Sequence, residues 1–341
     1  MLAIRNGKGQ RARLAALGAY APERVMTNAE LERMVETSDE WIVSRTGIRE
    51  RRIAAPDQAA SDLAALAAEA TLERAGVPAE QVDVLIVMTA SPDYIFPATA
   101  TVTADRIGAR NAAAYDLMAG CTGFLYGLAQ ACALVESGLA GTVLLVGTEA
   151  LSRHVNWTDR GTCVLFGDGA GAALVVAGDE EAVTGFMGFD LGADGSGACD
   201  LLIPAGGSRR PVGPGVDPGE AKISMNGREV FKFATRTFID SVTRLLERLE
   251  MGIDEIDLVV PHQANQRIIE YGIERLGIDP GRVFGNLERY GNTSAASIPL
   301  ALVEARDSDR LHAGDLLLLT AFGAGLTWGT TVVRYEPAEA V

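Results

Sequence analysis

Short, largely apolar runs alternate along this chain with longer segments of helical period. Leu14 to Tyr20, Val82 to Met88, Thr142 to Val146, Ala172 to Val176 and Ile256 to Val260 suit buried strands and are too short for helices. Ala59 to Ala75 is an alanine-rich helix. Ser91-Pro92 and Phe96-Pro97 mark a loop, after which another helix runs to Ile107. Phe124, Leu125, Leu128, Ala131, Cys132 and Val135 recur at spacings of three and four, the mark of one helix face. Thr27-Asn28-Ala29-Glu30 caps a short helix, and Thr37 to Arg45 makes a second capped start. A Pro- and Gly-rich surface loop, Pro204 to Glu220, precedes a long helix over Gly227 to Leu249. Buried strands alternating with helices predict an α/β fold with a mostly parallel sheet.

The pattern also repeats. Leu72-Glu73-Arg74 before Val82-Asp83-Val84 is echoed by Leu246-Glu247-Arg248 before Ile256-Asp257-Leu258. Gly120-Cys121-Thr122 has its counterpart in Gly291-Asn292-Thr293, Ala133 to Glu136 in Ala301 to Glu304, and Gly141 to Leu145 in Gly314 to Leu318. The matches keep their order, and the offset stays between 168 and 174 residues. Two copies of one unit, 1–180 and 181–341, would pack about a pseudo-twofold axis and bring Cys121 and Asn292 together at the centre.

Composition narrows the function classes. The 341 residues are 48% hydrophobic and 22% charged, as in an ordinary globular protein. The formal net charge of −15 argues against a nucleic-acid partner, because phosphate binding needs a basic field. The four cysteines, Cys121, Cys132, Cys163 and Cys199, form no C-x-x-C pair and no zinc spacing, which fits a reduced cytoplasmic setting. Arg5, Lys8, Arg11 and Arg13 precede an apolar segment too weak for a signal peptide, and no run approaches a membrane span. Gly167-Asp168-Gly169-Ala170-Gly171 is read as a tight turn between strands, since a dinucleotide fingerprint would open a helix.

Candidate chemistry gathers at the matched turns. Cys121 falls where a strand passes into a helix, where free N–H groups and the helix dipole favour the nucleophilic thiolate. Gly120, Gly123 and Gly127 are expected to let backbone or substrate come close. His262 ends the strand Ile256 to Val260, just past Pro261, and Asn292 is the repeat partner of Cys121. Cysteine supplies a nucleophile, and histidine and asparagine supply donors to a carbonyl oxygen gaining charge. The same residue types also suit a Cys/His/Asn hydrolase. Arg228, Lys232 and Arg236 share one helix face, which is either simply solvated or a dock for an acidic partner.

Asp116 to Phe124, Val260 to Asn265, Gly291 to Ser297, Ala321 to Trp328, Thr37 to Arg51 and Asp159 to Thr162 together resemble the β-ketoacyl-acyl-carrier-protein synthase III family. The resemblance spans Leu14 to Tyr335. It implies the thiolase-like fold, a duplicated five-layer αβαβα arrangement, in a cytoplasmic enzyme that is usually a homodimer. It implies the initiating condensation of type II fatty acid synthesis, from a short acyl-CoA and malonyl-acyl-carrier protein, with no cofactor or metal. A starter-unit synthase or acyltransferase of secondary metabolism with the same fold is the alternative. Carried over, Cys121 is the acyl acceptor, and His262 and Asn292 stabilise the enolate. The oxyanion hole uses the backbone of Cys121 and Ala324. Trp41, Arg45, Arg160 and Asn265 match coenzyme A contacts. Gln263 to Arg267, with Arg228 and Lys232, match the carrier-protein dock, and Phe96 matches a residue entering the partner subunit's acyl pocket. Ala324 stands where some members have glycine, which matters only if a positive φ is needed there.

Overall fold

A computed structural model describes residues 11–178 and 185–337. Arg5, Lys8 and the expected boundary at 180/181 lie outside the described residues. In chain order the first part contains β1 (Arg11–Tyr20), β2 (Arg24–Thr27), α1 (Asn28–Leu31), α2 (Asp39–Thr46), β3 (Glu50–Ile53), α3 (Ala60–Ala75) and β4 (Val84–Met88). It continues with α4 (Thr99–Ile107), β5 (Ala113–Leu117), α5 (Gly123–Glu136), β6 (Thr142–Glu149), α6 (Arg160–Cys163) and β7 (Gly169–Gly178). The second part contains β8 (Phe186–Ala193), β9 (Leu201–Leu202), β10 (Ser224–Met225), α7 (Gly227–Leu249), β11 (Leu258–Pro261) and α8 (Gln266–Leu276). It closes with α9 (Leu287–Tyr290), α10 (Ser297–Asp307), β12 (Leu316–Gly323) and β13 (Thr327–Arg334).

The two main sheets repeat one topology. The first has strand order β1-β7-β6-β4-β5 and the second β8-β13-β12-β11, read in the matching direction. Where β5 would lie in the second sheet, Val283 makes a single parallel bridge to Val259. Equivalent aspartates perform equivalent work. Asp83 accepts the N–H of Gly141 and Thr142 at the start of β6, and Asp257 accepts the N–H of Leu316 at the start of β12.

The sheets are mixed, not mostly parallel. β4 runs parallel to β5 and β6, but β7 is antiparallel to both β6 and β1. The reason lies in the connections: β6 reaches β7 through residues 150–168, which contain only short helical turns and no crossover helix. In the same region Gly169 to Gly171 already belongs to β7, so the expected tight turn is extended strand. The glycines there serve close packing, since a Cβ at Gly167 would meet the carbonyl of Tyr290 and one at Gly171 would meet Pro299 at 2.8 Å.

The apolar strands explain the five layers. Along β4, Val84, Ile86 and Met88 enter the central core while Leu85 and Val87 enter the outer core under α3. Along β12, Leu317 and Leu319 enter the same central core while Leu316 and Leu318 face α7 and α8. A strand covered on both faces has no polar side to show, hence the unbroken apolar runs. α5 and α10 fill the central layer between the sheets. A fourth apolar cluster, with Met26, Ile42, Ile48, Val155 and Phe166, binds the α1–β3 segment to the 150–166 connection.

Candidate active site

The two helices of the central layer begin in matching turns. Gly120 and Gly291 both adopt positive φ, +53° and +65°, conformations that favour glycine. Gly120–Thr122 is a 3-10 turn leading into α5, and Ser294–Ala296 is another leading into α10. Cys121 therefore does sit at a strand-to-helix junction. Gly123 and Gly127 admit no substrate, however: a Cβ on either would meet Met88, at 3.0 and 2.8 Å, so they seat α5 on β4.

Cys121, His262 and Asn292 line one cavity of about 90 Å³, with Phe322, Gly323, Phe231, Val230, Met225 and Leu201 among its walls. Residues of both halves thus meet as the repeat requires. Asn292 is fixed by its backbone, which exchanges bonds with the Leu165–Gly167 segment: Asn292 N–H to Leu165 O at 2.8 Å and Gly167 N–H to Asn292 O at 3.0 Å. Its side-chain Oδ1 accepts the Ser294 N–H at 2.8 Å, which leaves the Nδ2 amide as the free end.

His262 follows β11, its N–H bonded to the carbonyl of Thr320 on β12 at 2.8 Å. Its Nδ1 lies 2.6 Å from Ser297 Oγ, and that oxygen also receives the Gln263 N–H at 3.4 Å. The Ser297 hydroxyl has no other acceptor among the described residues, so its proton goes to Nδ1, which assigns the tautomer with hydrogen on Nε2. Burial lowers the imidazole pKa to about 3, so the ring is neutral at physiological pH. The edge of the ring packs against Phe322, centroids 5.7 Å apart. Both His262 and Asn292 are therefore neutral hydrogen-bond donors held by their other ends.

The thiol differs from expectation. Burial pushes Cys121 up to about 12, against a lowering contribution from the Ser294 hydroxyl, so desolvation outweighs the helix terminus in the resting site. The sulfur is therefore held as a thiol in this site.

The strand-end turn after β12 meets the Cys121 turn backbone to backbone. A Cβ on Gly323 would lie 2.8 Å from Cys121 N, so only glycine allows the approach. Neither Cys121 N–H nor Ala324 N–H donates to another backbone group outside the regular elements or to a side chain among the described residues. Ala324 is not among the residues with positive φ, and Gly325 carries the +139° angle instead, so alanine costs nothing at 324.

Of the remaining expected residues, Asn265 lines this cavity. The guanidinium of Arg160 stacks 4.9 Å from the Trp41 ring centroid and donates to Glu36 O at 2.9 Å. Asn265 caps α8 by accepting the Arg267 N–H at 3.0 Å and donates to Arg45 O at 3.1 Å, which ties α8 to α2. Arg228 and Lys232 are exposed on α7, and Arg267 lies 5.7 Å over Phe231, a wall of the cavity. Lys232 also pairs with Glu229 at 2.7 Å. Gln263 corrects the expectation of a docking role: it is 1% exposed, and its amide binds Pro261 O, Asn286 N–H and Leu287 N–H. A buried side chain spent on a turn cannot meet a carrier protein. Phe96 is 84% exposed, in a loop with Tyr94 and Ile95.

Ser294, Ser297 and Glu149 were not singled out in the sequence. The two serines lie inside the Gly291 to Ser297 motif, and Glu149 ends an otherwise apolar strand, which was the available signal.

Comparison with known proteins agrees with this geometry. Residues 115–195 match the family model for 3-oxoacyl-[acyl-carrier-protein] synthase III, and residues 246–335 match that for its C-terminal part. The chain is 50% identical to the β-ketoacyl-[acyl-carrier-protein] synthase III of Desulfitobacterium hafniense, over 95% of this chain and 97% of that one. It is 51% identical to that of Roseiflexus castenholzii, over 95% and 98%. The crystal structure of the synthase III from Thermus thermophilus superposes with a TM-score of 0.89 at 52% identity, covering 96% of this chain and all of the other. The fold is accordingly the thiolase-like one, and the chain belongs to the β-ketoacyl-acyl-carrier-protein synthase III family.

Proposed function

We propose that this protein is the initiating condensing enzyme of type II fatty acid synthesis. It moves a short acyl group from acyl-CoA to Cys121. It then joins that group to the two-carbon unit of malonyl-acyl-carrier protein, giving 3-oxoacyl-acyl-carrier protein and carbon dioxide. The observation that carries the reading is one cavity lined by a buried thiol, Cys121, and two buried neutral donors, His262 and Asn292, brought from distant parts of the chain. The secondary-metabolism alternative is not favoured by the relatives at about 50% identity.

In the first half-reaction Cys121 attacks the thioester. The oxyanion is received by the Cys121 and Ala324 N–H groups. In the second, the malonyl thioester carbonyl accepts from His262 Nε2–H and Asn292 Nδ2–H. Carbon dioxide leaves, and the enolate carbon attacks the acyl-enzyme. The electron pair comes from the breaking C–C bond, so neither a strong base nor a cofactor is required. Incubation with acyl-CoA and malonyl-acyl-carrier protein should yield carbon dioxide and the 3-oxoacyl product in equal amounts. Free acid instead of condensed product would mark a hydrolase.

The Trp41–Arg160 stack, with Arg45 and Asn265, is our reading of the coenzyme A site: an aromatic plane and cations suit an adenine and phosphates. Arg228 and Lys232 adjoin the cavity-lining Gly227 and Phe231 along α7, Arg267 lies over Phe231, and we read the three as the carrier-protein dock. Reversing the charges of Arg228 and Lys232 is expected to raise KM for the carrier substrate about tenfold, equivalent to about 1.4 kcal/mol. The effect should shrink with added salt and leave acylation by acyl-CoA unchanged. An equal change in both half-reactions would remove the dock from this face.

The exposed Tyr94–Phe96 loop follows β4, the exposed Met118 follows its neighbour β5, and the outer strand β5 presents Tyr115. An uncovered strand edge flanked by apolar side chains suits a second copy of the chain, with Phe96 entering the partner's acyl pocket. No helix among the described residues is long and apolar enough to cross a membrane, and we place the enzyme in the cytoplasm.

A further inference from the structure

The two turns that meet at Cys121 lie far apart in the chain, and their register has to be held. Their backbones touch: a Cβ on Gly323 would lie 2.8 Å from Cys121 N, and one on Gly120 would lie 3.3 Å from Ala324 N. Contact alone does not aim a hydrogen-bond donor. Among the described residues, no backbone hydrogen bond outside the regular elements joins the turn at 119–122 to the turn at 323–327. Two threonine side chains make the hydrogen bonds that do.

Thr122 is fully buried in the turn before α5, and Thr327 is the first residue of β13. They are 205 positions apart, yet their hydroxyl oxygens lie 2.9 Å from each other. Thr122 Oγ1 also lies 2.6 Å from Ala119 O. The Thr327 hydroxyl reaches Ala324 O at 3.0 Å and Ala119 O at 3.3 Å. Two hydroxyls thus span the gap and lie against one carbonyl from each turn. Ala119 O belongs to the peptide unit just before the one that carries the Cys121 N–H. Ala324 O belongs to the unit just after the one that carries the Ala324 N–H. Peptide units are rigid planes, so holding one leaves its neighbour only the dihedrals at a single α-carbon. That joint is Gly120 in the first turn, where glycine restrains the chain least, and Ala324 in the second.

We propose that Thr122 and Thr327 are positioning residues whose hydroxyl clasp aims the Cys121 and Ala324 N–H groups at one point, the oxygen of the thioester under attack. This rests on Cys121 being the acyl acceptor and on those two N–H groups receiving the oxyanion. The clasp touches no substrate and acts through the backbone. It serves acyl transfer and not decarboxylation, because the malonyl carbonyl is served by the side chains of His262 and Asn292. The second turn also has a separate anchor, where Leu326 and Asp194 exchange backbone bonds at 2.7 and 2.9 Å. Opening the clasp should therefore spoil the aim of the donors without unfolding the turn.

The test compares the half-reactions. Thr327→Val keeps the branched shape and removes the hydroxyl. Its single-turnover acylation by saturating acyl-CoA, read by intact mass, should slow about tenfold, because a misaimed donor loses much of its effect on the transition state. The acyl-CoA concentration giving half the maximal rate should not change, since the oxyanion exists only beyond the ground state. Carbon dioxide release from malonyl-acyl-carrier protein without acyl-CoA should keep its wild-type rate. Thr327→Ser retains the hydroxyl and should recover most of the acylation rate. Thr122→Val opens the same clasp from the other turn and reports on it should Thr327→Val fail to fold. The double variant should be no slower than the slower single one, because either change alone opens the clasp. Wild-type acylation in the valine variants, multiplied losses in the double variant, or equal slowing of acylation and carbon dioxide release overturns the clasp and leaves the nucleophile in place. A wild type that takes no acyl group at Cys121 overturns the functional reading instead.

Discussion

Cys121→Ala is expected to accept no acyl group from acyl-CoA: the mass increase seen on incubating wild type should be absent even after prolonged exposure. The expectation is strong because no other thiol can stand in. Cys132 is buried in the central core and Cys163 in the cluster beside α6, while Cys199 is exposed and does not line the cavity. The substitution removes one atom and keeps the Cys121 N–H, so the oxyanion site survives. Condensation should fall below detection. Malonyl-carrier decarboxylation should persist in part, since its donors come from the other half of the molecule. Acyl label remaining on the variant, located by peptide mapping, would refute the assignment of the nucleophile.

The sequence foretold more of this molecule than single elements. The long helix over Gly227 to Leu249 has those bounds in the structure, because Gly- and Pro-rich chain precedes it and its buried face repeats regularly. The near-constant offset between halves told where Asn292 would lie, since equivalent turns in a duplicated fold face each other. Strand direction was not legible. Nothing in Gly169 to Gly178 distinguishes a strand that returns antiparallel from one that crosses over, because both are buried on two faces. Burial itself was the larger omission. The turn position of Cys121 suggested a thiolate, but a sulfur under Phe322 and Phe231, with Glu149 nearby, is held as a thiol. Gln263 likewise sits in a motif that the family resemblance assigned to docking, and only coordinates reveal its amide turned inward to hold residues 285–287.

His262→Ala and Asn292→Ala should each slow malonyl-carrier decarboxylation by about 100- to 1,000-fold, the usual cost of one donor to a developing oxyanion, and slow Cys121 acylation much less. The asymmetry follows from how the side chains are held. Ser297 occupies His262 Nδ1 and the Ser294 N–H occupies Asn292 Oδ1, so only Nε2–H and Nδ2–H are left to donate. Both groups act as fixed dipoles, with His262 1% and Asn292 7% exposed. A histidine lowered to about 3 contributes no proton equilibrium between pH 5 and 8, so decarboxylation should show no step near pH 6.5. His262→Gln, which keeps a neutral donor, should recover part of the rate, and Asn292→Asp, which puts a carboxylate against the enolate, should recover none. A step near pH 6.5 that disappears with His262 would make the imidazole an acid rather than a donor. Equal loss of both half-reactions would assign the pair to general support of the cavity. Separate assays of acyl transfer and carbon dioxide release distinguish these outcomes on the same preparation.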